Sequence, residues 1–168
     1  MTIRPAEPAD LPLLVEIERR AGQAFAGHGM PEIATDDPGS PEELEGYRAA
    51  GRAWVAAEDG RPIAYLIAAE VDGRLHVEQV SVDPARAGRG IGASLIEHVA
   101  GIAREAGQAG LTLTTFRDIP WNAPYYARLG FTELPDPEQG PGMRALVARE
   151  RTAIPGHHPR VAMIRRLG

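Results

Sequence analysis

Two Asp-Gly dipeptides, Asp59-Gly60 and Asp72-Gly73, interrupt the most apolar third of this chain. Asp-Gly tolerates the positive φ that a two-residue β-hairpin turn requires at both central positions, so each dipeptide joins its flanking strands antiparallel. Those flanks read RAWVAAE, RPIAYLIAAEV and RLHVEQVSV, which predicts a three-stranded meander over residues 52–82. The period then changes. In VSVDPARAGRGIGASLIEHVA (80–100) an apolar run stops at Pro84, and Gly88, Gly90 and Gly92 follow. Leu95, Ile96, Val99, Ile102 and Ala103 then share one face of a helix. LTLTTF (111–116) is the next strand, and a helix between two strands implies a crossover that leaves strands 74–82 and 111–116 parallel.

The remaining elements fit around this centre. Residues 2–4 read as a short strand, and Asp10 as the cap of a helix to about Ala21. The Gly-, Pro- and acid-rich stretch 26–43 reads as a long loop of the kind that often carries function, with a short helix over 41–50. WNAPYYARLGF (121–131) is a short helix ending at Gly130, with Phe131 opening a strand. MRALVARERTA (143–153) is a helix and RVAMIRRL (160–167) a closing strand. The sum is an α/β chain with a mixed sheet. Its 168 residues suit one domain, 1–168, of which about 140–168 form a C-terminal helix and strand.

Composition excludes several classes. A net charge of −5 gives no footprint for nucleic acid. The lack of cysteine removes disulfides, thiolate zinc sites and a cysteine nucleophile. His157-His158 has no partner at metal-ligand spacing, so no metal is expected. MTIRPAEPADLP has no apolar leader core, and the longest apolar run, IAYLIAA (63–69), is too short to span a bilayer. A cytoplasmic protein with no membrane partner is the expectation.

A strand-to-helix corner with three glycines suits an anion. The helix N-terminus offers unpaired N–H groups and the positive end of its dipole, and glycine lets the backbone approach closely. Arg86 and Arg89 could add charge, and Ser94 a hydroxyl. Two nucleotide motifs fail: Gly92 is followed by Ala93-Ser94 instead of Lys-Ser/Thr, and the spacing is G-x-G-x-G instead of G-x-G-x-x-G. On these residues alone, a ligand site and a bare glycine-rich corner stand level.

The same stretch resembles the acyl-CoA-binding motif of the GNAT superfamily of N-acetyltransferases, Gln/Arg-x-x-Gly-x-Gly/Ala after a strand and opening a helix. Gly90 and Gly92 match the last two anchors; Ala87 stands at the first, with Arg86 one residue earlier. NAPYYARLGF (122–131) resembles the later Tyr-x-x-x-Gly-Phe motif through Tyr126, Gly130 and Phe131. The resemblance covers most of residues 2–135. It implies a mixed, mostly antiparallel central sheet flanked by helices, with a parallel strand pair splayed to hold acyl-CoA.

It also implies acetyl-CoA as co-substrate, a small-molecule or peptide amine as acceptor, and suggests a homodimer. The cofactor residues it implies are Val80, Val82, Ala87, Gly88, Arg89, Gly90, Gly92, Ser94 and Asn122, with the Val80 N–H as oxyanion donor. Glu78, on the strand before the turn, stands where many members carry a glutamate that accepts or relays the amine proton. Gln79 falls on the opposite face of the strand. Tyr126 is the candidate acid for the leaving thiolate, with Tyr125 as a packing residue. Glu32, Asp36 and Asp37 lie where the acceptor pocket is shaped, and Trp121 could line it. A catalytically silent acyl-CoA-binding or regulatory domain of the same fold is the alternative; a nucleotide-binding module is disfavoured by the missing lysine.

Overall fold

The computed structural model describes residues 1–26, 40–117, 122–153 and 160–167. Among these residues, seven strands lie in the order β1-β2-β3-β4-β5-β7-β6. They are β1 (Thr2–Pro5), β2 (Ala53–Glu58), β3 (Arg61–Val71), β4 (Arg74–Val82), β5 (Gly110–Phe116), β6 (Thr132–Glu133) and β7 (Arg160–Arg166). The helices are α1 (Leu11–Ala26), α2 (Pro41–Ala49), α3 (Ile91–Glu105), α4 (Ala123–Arg128) and α5 (Pro141–Ala153). Two compact units divide the chain, Met1–Ala68 with Gln79–Val99, and Ala69–Glu78 with Ala100–Gly168, so β3, β4 and α3 each run from one unit into the other.

The meander forms as its turns dictate. Asp59 and Gly60 have φ of 52° and 78°, and Asp72 and Gly73 have 52° and 76°, the left-handed pair that matches the twist of a tight hairpin. β4 then pairs with β5 in parallel, Leu75 with Leu111, His76 with Thr112 and Val77 with Leu113, and α3 is the crossover. These elements and the mixed sheet are those expected from the pattern.

In the first unit, Leu14 and Ile17 of α1 and Leu44 of α2 close over Val55, Tyr65 and Ile67. Each large side chain so buried contributes roughly 1.5–3 kcal/mol before entropic costs. The buried Tyr65 hydroxyl donates to Glu18 (3.1 Å). The start of α1 differs from expectation. Asp10 does not cap it; its carboxylate turns back to accept from the Glu7 N–H (2.8 Å) and from Arg4 (2.8 Å). The helix begins at Leu11 and continues through Gly22 to Ala26, past the expected end at Ala21.

In the second unit, α5 packs Met143 and Val147 against Ala162 and Ile164 of β7, with Leu134. β7 pairs with β5 antiparallel along its length and with β6 on its other edge. The Asp72 carboxylate accepts the Gly142 N–H (2.9 Å) and the Met143 N–H (3.0 Å), so the second hairpin turn caps α5.

Candidate active site

The glycine turn is built by the backbone. After β4 the Asp83 carboxylate accepts the Ala85 N–H (3.1 Å) and a 3-10 turn forms over Pro84–Arg86. Ala87 is extended, Gly88 and Gly90 have φ of 81° and 73°, and α3 starts at Ile91. A Cβ at Gly88 or Gly90 would meet nothing within 4 Å, so the sign of φ, and not crowding, is what demands glycine. Space is therefore open at both glycines, at the N-terminus of a 15-residue helix. A phosphate fits such a surface.

The side chains around the turn are engaged. Ser94 Oγ donates to the Gly90 carbonyl (3.0 Å) and braces the first helical turn. The Glu58 carboxylate holds both loop arginines, Arg86 Nε on one oxygen and Arg89 NH1 on the other, each at 3.2 Å. All three side chains are a third or more exposed, so these pairs are weak and an anion of higher charge can displace the carboxylate. Val80 and Val82 are half-buried, and the Gln79 amide donates to Ser81 Oγ (3.0 Å). The β4–β5 pairing runs from Leu75–Leu111 to Val77–Leu113.

A second group of polar residues belongs to the other unit. His76 is 1% exposed and shares a 2.9 Å hydrogen bond with Thr112 Oγ1. Burial, with the charge of Arg160, holds its imidazole down to about 4, so the ring is neutral at physiological pH. Two residues on, Glu78 keeps an exposed surface, yet the protein packed around its carboxyl is enough to raise its pKa. Desolvation is the largest cause, the charge of Glu150 adds to it, and Arg149 opposes. Thr114 Oγ1 donates to Glu150 Oε1 (2.8 Å), and Arg160 Nε lies 3.2 Å from Glu150 Oε2. The Arg160 guanidinium also covers the Phe116 ring at 4.7 Å.

The Tyr-x-x-x-Gly-Phe register has a local cause. The Tyr126 carbonyl accepts from both Leu129 N (2.9 Å) and Phe131 N (3.1 Å), a reversal that Gly130 permits with φ of 95°. Phe131 returns edge-on to the Tyr126 ring, centroids 5.8 Å apart. The Tyr126 phenol is raised above its ordinary value by burial, with Tyr125 adding to the effect, so it is protonated at neutral pH and able to donate. Its hydroxyl has no hydrogen-bond partner among the described residues. Tyr125 instead stands 5.9 Å from the Arg128 guanidinium. Asn122 Oδ1 accepts from Thr115 Oγ1 (2.6 Å), while its Nδ2 is buried without a partner, a donor that a ligand carbonyl would satisfy.

Sequence reasoning did not single out Thr115, which orients Asn122, nor the Thr114–Glu150–Arg160 group. No short spacing links residues 36 and 46 positions apart. Glu32, Asp36, Asp37, Trp121 and the His157-His158 pair lie outside the described residues. Among the described residues no group of three or more His, Asp or Glu could hold a metal ion, and no helix is long and apolar enough to cross a membrane.

Comparison with known proteins agrees with this architecture. N-acetylglutamate synthase from Neisseria gonorrhoeae, solved with coenzyme A and N-acetyl-glutamate, superposes with a TM-score of 0.73 at 20% identity over 99% of this chain. This chain spans only 35% of that protein's length. The ribosomal-protein-S18-alanine N-acetyltransferase from Escherichia coli gives 0.68 at 21% identity, covering 99% of this chain and 94% of that one. A GNAT family acetyltransferase from Brucella melitensis in complex with acetyl-CoA gives 0.57 at 28% identity, covering 78% and 82%. The profile of the acetyltransferase (GNAT) family matches residues 15–131, from α1 through the meander, the glycine turn and the Tyr126–Phe131 reversal, and the chain belongs to that family.

Proposed function

We propose that this chain is a single-domain N-acetyltransferase that moves an acetyl group from acetyl-CoA to a primary amine, on a small molecule or a peptide. The observation that carries the reading is the Gly88–Gly90 turn, with its positive φ angles and the open space at both glycines, at the start of α3. Acetyl-CoA supplies the thioester. The turn binds pyrophosphate, with Ala87, Arg89, Gly92 and Ser94 completing it, and Val80, Val82 and Asn122 address the pantetheine arm. Solved relatives in complex with coenzyme A or acetyl-CoA support the choice of co-substrate.

An amine of pKa about 10 is free base only about one part in a thousand at pH 7, so a proton must leave first. Glu78 accepts it, directly or through water, and its raised pKa makes it a better base than an ordinary glutamate. The amine nitrogen then bonds to the acyl carbon while the Val80 N–H donates to the acyl oxygen. The C–S bond breaks, and Tyr126 gives its proton to the sulfur. The second proton shed by the nitrogen restores the phenol, so one proton reaches solvent for each amide formed.

The test is a panel of amines incubated with acetyl-CoA, reading the released thiol against a protein that has no cysteine of its own. Turnover of an amine is expected, lowered in Glu78→Gln, whose pH profile should lose the acidic limb. Binding of CoA without turnover of any amine class would replace this reading with the catalytically silent acyl-CoA-binding domain.

A further inference from the structure

Glu150 is held at one oxygen on the partly exposed side of α5. That oxygen accepts from Thr114 Oγ1 at 2.8 Å, and the other lies 3.2 Å from Arg160 Nε, an ion pair in which neither atom has a hydrogen-bond partner. Arg160 is in turn held over the Phe116 ring. The carboxylate is therefore pinned over β5 at Thr114. Val77 of β4 stands opposite Leu113 of β5, so the next residues along the two parallel strands are Glu78 and Thr114. The His76–Thr112 hydrogen bond shows that the even-numbered residues of both strands share a face there, and alternation carries this on to Glu78 and Thr114. Glu78 therefore lies one residue past the last β4–β5 pair, on the strand face where Thr114 holds Glu150. Glu150 has a cation and a hydroxyl beside its carboxylate, whereas Glu78 accepts no hydrogen bond among the described residues. Paired carboxylates in unlike surroundings divide the roles of fixed charge and proton acceptor.

We propose that Glu150 is a positioning residue for proton transfer: pinned by Thr114 and Arg160, its fixed negative charge strengthens the hold of Glu78 on the proton taken from the acceptor amine. The role rests on the reading of Glu78 as the base. In the step itself the ammonium N–H bond breaks, its proton bonds to a Glu78 oxygen, and the nitrogen keeps the electron pair. Glu78 then returns the proton to water. The other groups bearing on Glu78 are Arg149, beside Glu150 on α5, which opposes the effect, and His76 on its own strand, which is neutral above about pH 4. Arg160 on β7 lies 3.2 Å from Glu150, and its charge also bears on His76.

The test follows the Glu78 side-chain carboxyl by carbon-13 NMR as pH is varied, its signal assigned by loss in Glu78→Gln. Glu150→Gln keeps the acceptor for Thr114 but removes the charge. It should lower the Glu78 midpoint by about half to one pH unit. Arg149→Gln should move it the opposite way, and Thr114→Val should lower it less than Glu150→Gln does. A merely structural Glu150 would lower the melting temperature without moving the midpoint, and that result overturns the proposal. If Glu150→Gln proves unstable, the opposite signs expected for Arg149→Gln and Thr114→Val still decide it. The two readings fail separately: a wild-type acidic limb of the rate in Glu78→Gln removes Glu78 as base, whereas a limb lost in Glu78→Gln but unmoved in Glu150→Gln removes only the role of Glu150.

Discussion

His76 makes the stability of this protein depend on pH in a way that can be worked out beforehand. Its ring is 1% exposed and hydrogen-bonded to Thr112, with a folded-state pKa of about 4 against 6.5 for a free histidine. The folded pKa is depressed, so the unfolded chain binds the proton first. The contribution is intact above pH 6.5 and is lost as pH falls through 4. A gap of about 2.5 pH units corresponds to about 3 kcal/mol across that window. For a chain of this size that is roughly 6–12 °C in melting temperature. Carboxylates titrate in the same range, so the measurement is a difference. Melting curves of the wild type and of His76→Gln are recorded from pH 7.5 to 4.5. The mutant starts lower because the ring's packing is lost, and it should fall less steeply as pH drops. Parallel curves would show that His76 takes up its proton in the folded state without penalty, and the argument from burial would be wrong.

Gly90→Val forces a branched residue to φ of 73°, a cost of about 1–2 kcal/mol, and should abolish the melting-temperature rise given by CoA while circular dichroism stays native. Tyr126→Phe should lower kcat by about a hundredfold, the low end for a general acid, with little change in melting temperature; Tyr125→Phe should be nearly silent, and the reverse pattern would assign the acid to Tyr125. Asp72→Ala releases the Gly142 and Met143 N–H groups and should cost about 1 kcal/mol, read as a lower urea midpoint. Gly140→Ala should also destabilise, because its Cβ would lie 2.6 Å from the Asp72 carboxyl.

What could be read from the sequence was local. Asp59-Gly60 and Asp72-Gly73 name their own φ angles, and the change of period after Gly92 names a helix, so the meander and crossover follow without tertiary information. The Gly130 reversal that returns Phe131 to Tyr126 is local in the same sense. The rest depends on distance. Asp72 reads as a turn residue, and that it caps a helix 70 residues later appears only once the sheet brings the two together. Asp10 has the composition of a helix cap, but Arg4 and the Glu7 N–H compete for the same carboxylate and win it. Glu150 looks like one more acid on an exposed helix face until β5 and β7 supply Thr114 and Arg160.

The place of β7 has a bearing on how the protein is made. The last strand in sequence lies between β5 and β6, in seven residue pairs with the first and two with the second. A ribosome delivers residues 160–166 after the other six described strands, so β5 must wait with one row of N–H and C=O groups unpaired, while β6 waits for the strand it pairs with. Pairing across such separations is slow, and a waiting strand is a template for a neighbouring chain. Loss of residues 160–166 would make that wait permanent, so a frameshift before residue 160 would turn the middle of the sheet into an open edge.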